Sequence, residues 1–62
     1  MIRRLPTFKG YTVDMRLHEF RKVPLNQLPE FIPFDSERGQ KLIMGFLETP
    51  EGKREYNYTQ LN

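Results

Sequence analysis

Three observations predict an α+β fold, a small antiparallel sheet of two or three strands packed by one helix in the C-terminal half. Apolar and polar residues alternate from Tyr11, a short apolar run broken by a proline follows at Glu30, and a helical stripe spans Ser36 to Glu48. With 62 residues, 37% of them hydrophobic and 13% aromatic, the chain holds material for a single small domain with one core. It has no cysteine, so neither disulfides nor thiolate metal sites can staple it, and oligomerisation is the staple left open.

Residues 1–10 read as a lead-in punctuated by Pro6 and Gly10. Tyr11, Val13, Met15 and Leu17 then take one face and Thr12, Asp14, Arg16 and His18 the other, the two-residue repeat of a half-buried strand. Phe20 falls out of phase, and one bulged residue returns it to the core face, carrying the strand on to Val23. A short helix within residues 14–22, capped by Asp14, is the competing arrangement, because it brings Leu17 and Phe20 together at i, i+3.

Pro24 to Pro29 forms a connection. Glu30 to Phe34 is strand-like, but Pro33 lacks a donor and confines it to a sheet edge. Phe31 points to one face, assigned to the core, and Ile32 and Phe34 to the other. Asp35-Ser36 caps the helix, and Gly39, Leu42, Ile43, Phe46 and Leu47 share the stripe that meets the sheet. Gly39 permits a close approach there, and Thr49-Pro50-Glu51-Gly52 ends the helix. Residues 53–62 hold Tyr56 and Tyr58 in strand phase and form either a third short strand or a mobile tail.

The residue types for catalysis are scarce. One histidine, His18, shares the polar strand face with Asp14 and Arg16, where an imidazole beside an arginine is expected to sit solvated on the rim. Ser36 stands where a capping residue belongs, with no base near it in sequence, and is read as a cap rather than a nucleophile. No zinc spacing, acidic calcium loop or glycine-rich phosphate cradle occurs, so no cofactor or metal is expected. The chain is expected to be non-enzymatic.

Net charge is +2, unevenly spread. Up to Leu25, six basic residues face two acidic ones, a net +4; from Asn26 onward, four basic residues face six acidic ones, a net −2. No apolar run approaches a membrane span and no signal peptide is legible, which places the expected protein in the cytoplasm, away from membranes.

Gly10-Tyr11-Thr12-Val13-Asp14, Arg16-Leu17, Phe20-Arg21-Lys22-Val23 and Glu30-Phe31-Ile32-Pro33-Phe34-Asp35-Ser36 make a series that resembles a group of short uncharacterised prokaryotic proteins. The resemblance covers roughly residues 10–47, carries no activity to transfer, and implies only a strand-and-helix core.

Ile32, Phe34 and Met44 are the apolar residues a single helix-on-sheet core absorbs least easily; Met44 lies about 200° from Leu42 around the helix. They are the expected partner-binding residues of a protein-interaction or regulatory module, with a homodimer as the expected assembly. The alternative is a nucleic-acid-binding accessory protein using Arg16, Arg21 and Lys22 from the basic first half, with Phe8, Tyr11 and Phe20 as stacking platforms.

Overall fold

The computed structural model describes residues 4–60, with side chains up to Tyr58. The class is α+β: strands β1 (Thr7–Phe8), β2 (Tyr11–Asp14), β3 (Glu19–Lys22) and β4 (Glu30–Pro33) precede helices α1 (Glu37–Leu47) and α2 (Pro50–Gln60). The strands form one antiparallel sheet in chain order, β1-β2-β3-β4. The sequence reading is one strand or two short of this.

Residues counted as lead-in supply β1. Phe8 pairs with Tyr11 across a two-residue turn, in which Lys9 (φ 51°) and Gly10 (φ 84°) both take left-handed conformations, matching the twist of the strands on either side. The long strand expected from Tyr11 to Val23 is a hairpin rather than a bulged ribbon or a helix. Asp14 pairs with Glu19, and residues 15–18 form the loop between them. The cause is local: Asp14 Oδ1 accepts hydrogen bonds from the backbone N–H groups of Arg16 and Leu17, both 3.0 Å, which turns the chain before the alternation can continue. Leu17 is thereby carried out of the expected core and is 64% exposed.

Strand β4 lies at the sheet edge, as its proline requires. Its register pairs Phe20 with Ile32 and Arg21 with Phe31. Ile32 therefore shares the face of Phe20 and Val13 and is buried, while Phe31 shares the opposite face with Arg21 and Thr12 and is 56% exposed. The expected assignment of these two residues is reversed.

Tyr11, Val13, Phe20, Ile32 and Phe46 form the buried cluster, flanked by partly buried Phe8, Met15, Phe34, Leu42, Ile43 and Leu47. Phe46 is fully enclosed and brings α1 onto the sheet; its ring meets Phe8 edge-on at 5.6 Å. Enclosing an aromatic side chain of this size contributes about 1.5–3 kcal/mol.

The two helices start in the same way. Ser36 Oγ donates to the Pro33 carbonyl at 2.7 Å and accepts from Gly39 N–H at 3.0 Å. Thr49 Oγ1 donates to the Phe46 carbonyl at 2.6 Å and accepts from Gly52 N–H at 2.9 Å. In each case a Cβ on the glycine would run into that same carbonyl, of Pro33 or of Phe46. Gly39 thus permits the expected close approach of α1 to the sheet, at the last residue of β4, and serves the entrance of its own helix as well. Thr49-Pro50-Glu51-Gly52 does end α1, but it also opens α2, since proline is well suited to a first helical position. Residues 53–60 are helical, not a strand or a tail, and residues 61–62 lie outside the described residues.

Candidate interaction surfaces

The structure disperses both predicted sets of site residues. Of Ile32, Phe34 and Met44, only Met44 stands exposed on α1. Ile32 is in the core, and the half-buried Phe34 packs its ring 5.1 Å from that of Phe20 and stacks on His18 at 5.5 Å. The four strands make a wider sheet than expected, and its register uses both residues for packing.

The basic set fares similarly. Arg16 is exposed in the β2–β3 loop. Arg21 lies on the sheet face opposite the core, with its guanidinium 3.0 Å from Asp14 Oδ2 and 3.3 Å from Glu19 Oε2. Lys22 points to the other face, its ammonium 4.7 Å from the centre of the Tyr11 ring. Tyr11 and Phe20 are buried, so neither offers a ring to a stacked base.

Two polar clusters hold the elements together. On the open face, burial pushes the Asp14 carboxyl upward, but the Leu17 N–H, the Arg21 guanidinium and the Arg16 N–H overcome it and hold the group below its ordinary value. Its oxygens are thereby committed to these donors rather than to an imidazole, and His18 is exposed against Phe34. On the core side, the Tyr11 hydroxyl donates to Glu30 Oε1 at 3.0 Å, and Arg38 donates to the Tyr11 oxygen at 2.8 Å and to Glu30 Oε2 at 3.0 Å. Burial, followed by the bond to Glu30, raises the Tyr11 pKa, while the Tyr11 bond lowers that of Glu30. The result is a closed ring of neutral phenol, carboxylate and guanidinium that ties α1 to β4 and β2. It keeps tyrosine protonated, the opposite of what a phenolate nucleophile needs.

Concavities are shallow. One, of about 350 Å³, lies between the helices beside Leu47, Lys53, Tyr56 and Asn57. Another, of about 370 Å³, is bounded by Arg4, Leu5, Pro6, Thr7, Glu51 and Glu55. Among the described residues no three metal-ligating side chains come together, and no helix is long and apolar enough to cross a membrane.

The most pronounced surface feature is one that the sequence reading passed over. Because β2 starts where β3 ends, the Lys9-Gly10 turn and the 23–29 loop occupy the same end of the sheet. Leu25 and Leu28 stand there 90% and 89% exposed, with Val23 beside them and Phe31 behind on the open face. No carboxylate occurs from Phe20 to Pro29. Glu30, the acid at this end, is bonded to Arg38 and is also felt by Lys22; with Arg38 offsetting that carboxylate, Lys9 and Lys22 give the end a net positive sign. The available signal was two leucines between two prolines, residues whose turn chemistry invites reading the segment as a mere connection.

No family model matches the chain, and neither a similar curated protein nor a similar solved structure was found.

Proposed function

We propose that this chain is a non-enzymatic interaction module that engages its partner through the apolar end formed by Val23, Leu25, Leu28 and Phe31. The observation that carries the reading is the exposure of Leu25 and Leu28, about nine-tenths each, in a protein small enough to need its leucines for a core. Scattered exposed apolar residues are ordinary; a group at one end, without a carboxylate in the loop, is the pattern of a contact surface. Catalysis has less support, because the titratable groups that meet are bound to one another in structural ties.

A second copy suits this end poorly. A two-fold contact through this end would bring the lysines at positions 9 and 22 of both copies into one interface, and like charges oppose such a meeting. Nucleic-acid binding by Arg16, Arg21 and Lys22 is disfavoured by the carboxylates on Arg21 and by the opposite facing of Lys22.

Site-specific photocrosslinking in cells tests the reading. A benzophenone amino acid at Leu28 is expected to form adducts, with a protein or with lipid chains, that one at Met44, on α1, does not; the same sparse background of both kinds at both positions would overturn the proposal.

A further inference from the structure

We infer that the apolar end is a loop tip that inserts into the interface of an anionic lipid bilayer. The inference rests on the interaction reading above and names the partner at that surface. Three observations point to it. First, Leu25 and Leu28 stand out on a loop and line neither of the two concavities described above, so they are placed to enter another body and not to receive one. The headgroup boundary of a bilayer does this without a preformed hole, whereas a protein partner needs a matching groove. Second, Asn26 and Gln27 between the leucines are neutral, and Pro24 and Pro29 bracket the loop, so insertion drags in no ionised side chain. Third, Lys9 and Lys22 lie at the same end, and the nearby Glu30 is already bonded to Arg38. That charge complements phosphatidylserine-type headgroups, which attract each nearby lysine or arginine.

The sequence argues against membranes through the lack of an apolar run long enough to span one and of a legible signal peptide. The contact inferred here belongs to a loop and needs no amphipathic helix. Apolar insertion and cationic attraction are each too weak to anchor a protein firmly; together they give reversible, salt-sensitive attachment, as two-signal membrane binding does.

The chain has no tryptophan, so a single Leu28→Trp substitution supplies a clean reporter. With phosphatidylcholine–phosphatidylserine vesicles its emission is expected to shift to the blue, and with phosphatidylcholine alone to stay unchanged. In cosedimentation, the unsubstituted protein is expected to bind the anionic vesicles and to release on addition of salt. The Leu25→Ser/Leu28→Ser pair should weaken that binding by about tenfold or more, and Met44→Ser should leave it unchanged. Thermal unfolding of each variant confirms that it is folded. Failure of the folded, unsubstituted protein to bind anionic vesicles, or binding undiminished by the double substitution, would overturn the inference. A protein adduct at position 28 without vesicle binding would sink the lipid partner and leave the interaction module standing; absence of both would sink both.

Discussion

At the scale of single residues, Asp14 bears the heaviest local duty. Its two oxygens accept three hydrogen bonds, from Arg16 N–H, Leu17 N–H and the Arg21 guanidinium, and so turn the β2–β3 hairpin. Asp14→Ala leaves those donors without the acceptor and is expected to cost about 1–3 kcal/mol. Asp14→Asn should recover part of that, because its amide oxygen still accepts from the turn; urea unfolding of the two variants at neutral pH makes the comparison. The depressed pKa values of Asp14 and Glu30 give a sign for acid. The stabilisation they supply is whole above their ordinary values of 3.8 and 4.5 and is lost as pH falls through the lower folded-state values. Urea midpoints measured downward from neutral should therefore fall in that acid range, and Asp14→Asn should flatten the fall. Phe31 gives the converse case. Exposed on the open face, it should tolerate Phe31→Ser within about 0.5 kcal/mol, and a large loss in the thermal midpoint would return it to the core.

At the scale of elements, the paired helix entrances explain what was and was not legible. A hydroxyl followed three residues later by glycine occurs at Ser36/Gly39 and at Thr49/Gly52. The first was recognised as a cap; the second was hidden by Pro50, which reads as a stop when viewed from α1 and as a start when viewed from α2. Gly39→Ala and Gly52→Ala place a methyl group against a backbone carbonyl that belongs to the cap, and each is expected to destabilise by about 2–3 kcal/mol despite the better helix propensity of alanine. A rise in thermal midpoint for either would refute the close approach. The strands show a different limit. Glu30 to Phe34 carries apolar residues in both phases, and only pairing with β3 decides that Ile32 and not Phe31 joins Phe20. Alternation within one strand cannot hold that information. The edge position was legible because proline states it without reference to any neighbour.

At the scale of the whole molecule, the helical stripe of α1 and Phe46 in the core followed from the sequence because each depends on spacing within a single segment, and the α+β class followed from the order of such segments. The site did not, since a contact surface is what remains after packing has chosen its residues. Ile32 and Phe34 were taken into the core, and the two leucines between prolines were left outside. The molecule is flat, measuring 37 × 32 × 18 Å, with the enclosed Phe46 ring joining α1 to the sheet. Phe46→Ala is expected to cost about 3–5 kcal/mol, enough to leave so small a domain largely unfolded, as loss of cooperative melting by circular dichroism would show.

The order of the strands has a bearing on how the protein is made. Each strand bonds to the one synthesised just before it, so a chain leaving the ribosome can complete its hairpins in succession, without waiting for distant partners. The oily side of that growing sheet stays wet until residue 46 emerges, so a nascent chain stalled before then would be sticky and most in need of shielding.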